Sequence, residues 1–503
     1  MESFVNTLNS IIWSPVLVGL CLCAGLFFSI RSRFVQIRMI PEMWRLIFQK
    51  KEDDIGLSSF QALTMTLASR VGTGNIAGVA TAICFGGPGA LFWMWMVAFL
   101  GASSAFVEST LGQIYKEKID GQYRGGPAFY IEKGLNCKPY AWAFAIVTIL
   151  ASVFFCPGVQ SNTIAAAWSQ AFEIEPPITA AIIATLLCFI IFGGLKRIAQ
   201  FTSIVVPFMA QAYIVVAVII VGVNYEQIPH VLGLIISSAF GMDSILGGML
   251  GAAISWGVKR GIYSNEAGQG TAPHASSAAA VSHPVKQGLV QAFSVYIDTL
   301  FVCTATGLMV LMTGCYNIVD PNGAVLHEGL PGVEAGPVYT QLAIDQLMPG
   351  WGGPFIAIAI FFFAFTTILG YYYMAETNTA YLNRTIKKPI LMLVVKVVFL
   401  GTVAFGTLRA SSLIWAMADV GVGMMAYLNL TAILLLQSIA FIALKDYEYQ
   451  KKLYINPIFH PDQLNIKNAT YWDSDRAEKN LVVEESQGVD NLNDISKVRS
   501  HTN

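Results

Sequence analysis

From Ile11 to Leu444 the chain repeats one pattern, a long run with almost nothing polar in it closed by a short polar stretch. A helix needs about 20 largely apolar residues to cross the hydrocarbon of a bilayer. Runs of that kind fall at 11–30, 60–85, 89–115, 141–167, 178–195, 201–223, 245–273, 288–313, 352–381, 389–408 and 412–444. The expected fold class is therefore an all-α polytopic membrane protein of about 11 transmembrane helices. A closed barrel is excluded, because its strands would alternate over about 10 residues whereas Ile204–Val223 is apolar on every side.

Charge tests this count independently. Only 12% of the 503 residues are charged, against about 25% in a soluble domain, which argues against a cytosolic enzyme. A net charge of −1 provides no basic field for nucleic acid. Of the 30 cations, 25 fall in every second connection: Arg31, Arg33, Arg38, Arg45, Lys50 and Lys51, then Lys116 to Lys138, Lys196 and Arg197, Lys286, Arg384 to Lys388, and the tail from Lys445; Arg70, Lys259, Arg260, Lys396 and Arg409 sit in or beside spans. The alternate connections 168–177, 224–244 and 314–351 hold no Lys or Arg but eight acids, Glu173, Glu175, Glu226, Asp243, Asp320, Glu328, Glu334 and Asp345. By the positive-inside rule the N-terminus is outside and the C-terminus cytoplasmic. Met1–Ser10 carries one Glu and no Lys or Arg, so the first run reads as a retained span rather than a signal peptide. The eight scattered cysteines form neither a CxxC nor a Cys/His cluster, so no disulfide framework or zinc site is expected.

Two spans carry clusters that a continuous helix tolerates poorly. The second contains Ser69-Arg-Val-Gly-Thr-Gly-Asn-Ile-Ala-Gly78 and the seventh Ser264-Asn-Glu-Ala-Gly-Gln-Gly-Thr-Ala-Pro273. Glycine costs about 1 kcal/mol and proline about 3 kcal/mol inside a helix, so both spans are expected to unwind around an enclosed cavity. Gly74 and Gly78 also form a GxxxG, which close helix packing alone would explain. The clusters lie five spans apart, so the broken helices cross in opposite directions. That is the pattern of an inverted repeat with a midplane substrate and ion site. It divides the chain into an extra span and loop (1–59), a first five-helix repeat (60–223), an outer connection (224–244), a second, inverted repeat (245–444) and a polar tail (445–503) with a mixed-charge end.

Three stretches resemble the alanine or glycine:cation symporter family, also called the sodium:alanine symporters: Gly86–Gly101, Lys259–Pro273 and Phe365–Gly370. The resemblance covers nearly all of 10–445 and implies a leucine-transporter-type five-plus-five fold with one additional N-terminal span. It implies symport of a small neutral amino acid with sodium, in the plasma membrane and, for a bacterium, the inner membrane. By the same resemblance the carbonyls of Ala68 and Val71 and the hydroxyls of Thr366 and Thr367 form the sodium shell, an all-oxygen set that suits a hard cation. The substrate carboxylate would meet N–H groups around Thr73, Gly74 and Asn75, since an exposed helix start favours anions. Gln160, Tyr263, Asn265, Gln269 and Tyr371 would line the pocket. No organic cofactor is implied, and the default state is a monomer.

Gln269 and Tyr371 depart from the residues usual in the family and make the pocket edge more polar, which keeps glutamine or serine open beside alanine and glycine. Arg70, Glu108, Lys259, Arg260, Glu266, Asp298, Glu376 and Lys396 sit in spans, where a charge needs a partner or a cavity. Arg70, Glu108 and Asp298 are expected to pair internally. Glu266 either fixes the unwound segment or gates it. Lys259–Arg260 either form a gate or face an inner vestibule. His274 and His283 are expected to be satisfied histidines near the inner surface. The acidic, Gly- and Pro-rich 314–351 connection is an outer lid or a solvated connector.

Neither GxxxxGK[ST] nor HExxH occurs, so an ATP-driven pump and an intramembrane zinc protease both lack their chemistry. No filter or ring of charge marks a channel. A secondary symporter is the expected function, with sodium as coupling ion, and a non-transporting amino-acid sensor is the alternative.

Overall fold

The computed structural model describes residues 2–51, 53, 55–242, 247–409, 411–453 and 456–472; the mixed-charge end of the tail and Asp243 lie outside them. Helix dominates. The first run becomes Glu2–Ile12 followed by α1 (Pro15–Arg31), and α2 (Ile40–Ile47) caps the connection that follows. The second run is split into α3 (Ser59–Arg70) and α4 (Val79–Gly86), joined through a π-helical turn at Gly74–Gly78. Next come α5 (Gly89–Ile114), then α6 (Lys138–Leu150) and α7 (Cys156–Phe172) joined by a π turn at Ala151–Phe155, α8 (Pro176–Ile191) and α9 (Gly194–Val223).

The seventh run is also split, into α11 (Leu250–Asn265) and α12 (Ala272–Ser277), after a helix α10 (Ile228–Ala239) in the preceding connection. The eighth holds α13 (Pro284–Val295), a π stretch Tyr296–Cys303 and α14 (Thr304–Thr313). After α15 (Pro337–Asp345) come α16 (Gly352–Ile386), α17 (Ile390–Thr407) and α18 (Ser411–Lys452).

Among the described residues eight helical stretches are long and apolar enough to cross a membrane. The other three expected spans are the two split ones and the 16-residue α8. Apolar side chains such as Ile204 (73% exposed) and Phe208 (71%) face outward on α9, as a lipid solvent requires. The connections hold more structure than their polarity suggests: α10, α15, a helix Pro127–Leu135, and hairpins 117–124 and 317–328.

Contacts sort the connections onto two faces. On one, Arg33 and Arg38 bond Glu448, Arg384 bonds Glu117 and Glu132, and Asp53 accepts from Tyr123. This is the face of the basic loops. Here α2 docks on α18 through Glu42, which accepts from Arg45 (2.7 Å), Lys451 (2.8 Å) and Tyr447. Burial pushes the Glu42 carboxyl up, but those three bonds outweigh it and hold the group at about 2, against an ordinary 4.5. Residues 456–472 pack on the same face. Phe459 N–H donates to the Ser282 carbonyl (2.9 Å), Trp472 Nε1 donates to Gln113 O (3.2 Å), and Lys116 Nζ lies over the rings of Tyr471 (4.4 Å) and Trp472 (5.2 Å). On the opposite face Asn9, residues 317–339 and the start of α18 surround a cavity of about 540 Å³.

Candidate functional site

At the first break α3 ends where Val71 leaves helical conformation (φ −76°, ψ 87°). Gly72 is forced here by space: a Cβ would stand 2.4 Å from Thr367 Oγ1 and 3.2 Å from Gln160 Oε1. At Gly370 a Cβ would stand 2.8 Å from Ser69 Cβ, so α16 lies directly against the end of α3. The Thr367 hydroxyl donates to the Ala68 carbonyl at 2.9 Å. The Thr366 hydroxyl turns back onto the carbonyls of Phe362 and Phe363 (2.9 and 3.0 Å). On the other side of Gly72, the Thr73 N–H (3.1 Å) and O–H (2.6 Å) both donate to Gln160 Oε1. One unwound segment thus offers carbonyl oxygen towards α16 and hydrogen-bond donors towards α7. Asn75 is committed within the protein: its Oδ1 accepts the Gly72 N–H (2.8 Å) and its Nδ2 donates to Asp298 Oδ1 (2.6 Å).

At the second break Glu266 (φ 55°), Gly268 (φ 83°) and Gly270 (φ 84°) adopt left-handed backbone, which glycine enters without a Cβ penalty. Asn265 Oδ1 closes a local turn by accepting the Ala267 N–H (3.0 Å). Gln269 Nε2 donates to the Ile262 carbonyl (2.6 Å); its amide nitrogen is engaged with main chain. Asn429 ties the segment to α18 by donating to Gly268 O (2.9 Å) and to Glu108 Oε2 (2.7 Å), which also accepts the Gly270 N–H (3.0 Å).

The two breaks meet. A Cβ on Gly74 would lie 3.1 Å from Ser264 Cα and 3.2 Å from Tyr263 Cδ1. Tyr371 lies near Gln160 and Tyr263. Thr73, Gly74, Gln160, Tyr263 and Tyr371 therefore cluster with Ala68 and Thr367, whereas Gln269 sits beneath Ile262 and Asn265 reaches Thr299 (3.2 Å). All of these residues are buried.

Tyr263 is roofed by Trp415 (ring centroids 5.0 Å apart) and by the Arg260 guanidinium (5.5 Å). Arg260 and Lys259 both pair with Asp419 Oδ2 at 2.7 Å, and the three line the 540 Å³ cavity. The cavity opens on the face of the 317–339 segment, opposite the face of the basic loops. On the basic face the buried Arg124 pairs with Glu376 at 2.8 Å. Arg70, enclosed near Glu266, Glu108 and Asp298, donates to Gln291 O (3.2 Å) and to the Ser294 hydroxyl. Glu266 accepts from Ser69 (2.8 Å). His274 is satisfied by Thr271 O and Asn378, and His283 by Asp446.

Sequence reasoning missed Asp419, Trp415 and Asn429. The paired cations Lys259–Arg260 called for a carboxylate, and Asp419 is the acid in the 412–444 run. It missed the π-helical geometry as well. The three π stretches among the described residues, Gly74–Gly78, Ala151–Phe155 and Tyr296–Cys303, lie at the first break, just before Gln160, and opposite both breaks. Such segments are rare and cluster at functional sites.

Known proteins share this arrangement of sequence. YrbD of Bacillus subtilis (strain 168) is 57% identical over 475 residues, 94% of this chain and 98% of its own length. The sodium/proton-dependent alanine carrier protein of Bacillus sp. (strain PS3) is 50% identical over 433 residues, covering 86% and 97%. The sodium/alanine symporter AgcS of Methanococcus maripaludis is 38% identical over 460 residues, covering 90% and 98%. With residues 1–461 matching the model of the sodium:alanine symporter family, the chain belongs to that family.

Proposed function

We propose that this protein carries a small neutral amino acid, alanine or glycine, into the cell with sodium by alternating access. As a member of its family it is an integral membrane transporter and not an enzyme. The observation that carries the substrate and ion reading is the two-sided first break. Before Gly72 in the chain the Ala68 carbonyl meets the Thr367 hydroxyl, and after it the Thr73 donors converge on a single oxygen. The first side suits a cation, with Val71 O and a rotated Thr366 hydroxyl completing an oxygen shell. On the second side Gln160 Oε1 occupies the posture of a carboxylate oxygen.

Residues 60–223 and 245–444 act as inverted five-span halves, with the first span outside them and the basic face cytoplasmic. Lys259, Arg260 and Asp419 close the site towards the outside, and Arg124–Glu376 closes it towards the cytoplasm. Sodium bridging α3 and α16 completes the outward-facing site before substrate closes it. One sodium per zwitterion moves one charge; 100 mV and a tenfold gradient together supply about 3.7 kcal/mol, or roughly 500-fold accumulation. The Gln269 nitrogen is engaged by Ile262, which favours alanine or glycine over a polar substrate. The test is uptake of labelled alanine into proteoliposomes under an imposed sodium gradient, with glycine, serine and glutamine as competitors. Sodium-driven accumulation blocked by glycine supports the reading. Preference for glutamine would reassign the substrate, and binding without uptake would make the protein a sensor.

A further inference from the structure

The two breaks are joined by a carboxylate from a third element. Asp298 lies in the π stretch Tyr296–Cys303 and is completely buried. Its oxygens accept from Asn75 Nδ2 (2.6 Å), from the Ser264 hydroxyl (3.1 Å to Oδ1 and 2.9 Å to Oδ2) and from the neighbouring Thr299 hydroxyl (2.8 Å). Asn75 belongs to the first break and Ser264 to the end of α11, where the second begins. The Asn75 amide also donates to the Asp298 main-chain carbonyl (3.2 Å). A water-free core strengthens such hydrogen bonds.

The chain of contact continues in both directions. Asn75 Oδ1 holds the Gly72 N–H (2.8 Å), and Gly72 is the residue seated against Thr367 and Gln160. On the other side Ser264 lies between Tyr263 and Asn265, and Asn265 Nδ2 reaches Thr299 (3.2 Å). We propose that Asp298 is a positioning residue that couples the two breaks, so that ion binding on the α16 side of Gly72 orders the pocket wall at Tyr263. The proposal rests on the sodium-coupled reading given above. By linkage, ordering that tightens substrate with sodium tightens sodium with substrate by the same factor.

The test is the dissociation constant of labelled alanine for the purified full-length protein, measured in sodium and in potassium. Sodium should tighten alanine in the wild type by a factor in the range of about 5 to 150. Asp298→Asn leaves one acceptor oxygen for three converging donors, Asn75 Nδ2, Ser264 Oγ and Thr299 Oγ1, and the tightening should fall to about 1–2-fold. The exchange Asn75→Asp with Asp298→Asn restores an amide–carboxylate pair between the same elements and should recover it. Ser264→Ala removes the hydroxyl that ties the second break to Asp298 and to Cys303; it should shift coupling the same way and serves if Asp298→Asn does not reach the membrane. Wild-type sodium tightening in Asp298→Asn with only turnover or yield reduced would overturn the proposal, as would an exchange variant no better coupled than the single one. A wild-type protein that binds no neutral amino acid in either salt would instead refute the function itself.

Discussion

Thr367→Ala puts the sodium shell to a quantitative test. The Thr367 hydroxyl is buried and shared between the carbonyls of Ala68 and Phe363, both at 2.9 Å. With sodium bound, the hydroxyl oxygen would face a charge, an interaction worth about 1.5–3 kcal/mol. Without sodium the same hydroxyl makes an ordinary bond worth about 0.5–1.5 kcal/mol. Alanine removes both, so the net loss in sodium binding is the difference, about 1–1.5 kcal/mol, or a factor of about 5–12. The assay is initial-rate uptake of labelled alanine into proteoliposomes across a sodium titration, with Thr367→Ser as the variant that keeps the hydroxyl. Half-saturation by sodium should rise by that factor in Thr367→Ala and hold in Thr367→Ser. Alanine KM at saturating sodium should stay near wild type. Unchanged sodium half-saturation, or an equal fall in sodium and alanine affinity, would refute the assignment.

Four further outcomes are expected. Asp419→Asn weakens the counter-charge of Lys259 and Arg260; loss of such a pair costs up to about 3–5 kcal/mol, and a Cys placed at Tyr263 should become reactive to an impermeant thiol reagent above the background of the exposed Cys23 and Cys188. Gly270→Ala sets a Cβ 2.5 Å from Pro127 Cγ at φ 84°; it should lower thermal stability by about 1–3 kcal/mol or more, while Gly19→Ala, which meets nothing within 4 Å, should not. Glu42 is held at about 2 against 4.5, so its stabilising bonds are intact above pH 4.5 and lost as pH falls towards 2; the drop in melting temperature between pH 6 and pH 3 should be smaller in Glu42→Gln. Gln269→Leu, which removes the bond to Ile262 O, should leave the order of competitor preference unchanged, as read from inhibition of alanine uptake.

Much of this architecture was legible because a bilayer imposes a one-dimensional code. Length and apolarity placed helix at each of the eleven runs, and alternating charge anticipated the two faces onto which the connections sort. The breaks were legible because Gly72, Gly268 and Gly270 answer local demands of space or of φ. What stayed hidden depends on partners distant in sequence. Asp419 lies far from Arg260 along the chain, and nothing periodic announces their pairing. Gln269 was read from its position as a pocket edge; the bond from its nitrogen to the Ile262 carbonyl had no signal in the sequence. The π stretches change hydrogen-bond register without a change in hydrophobic pattern, so 288–313 read as an ordinary span although Tyr296–Cys303 is not α-helical.

The packing of residues 456–472 bears on how the protein is made. Gln113, Lys116, Ser282 and Lys286 emerge from the ribosome long before Asn456, Phe459 and Trp472, their partners at the basic face. Chains grow at about 5–20 residues per second, so the earlier spans wait in the bilayer with that face uncovered until residues 456–472 have been made. A polar stretch after the last span invites removal or replacement by a tag. Here a cut before Asn456 would leave the Lys116 ammonium without two of its aromatic neighbours, and its first consequence would be read in yield and proteolysis during biogenesis.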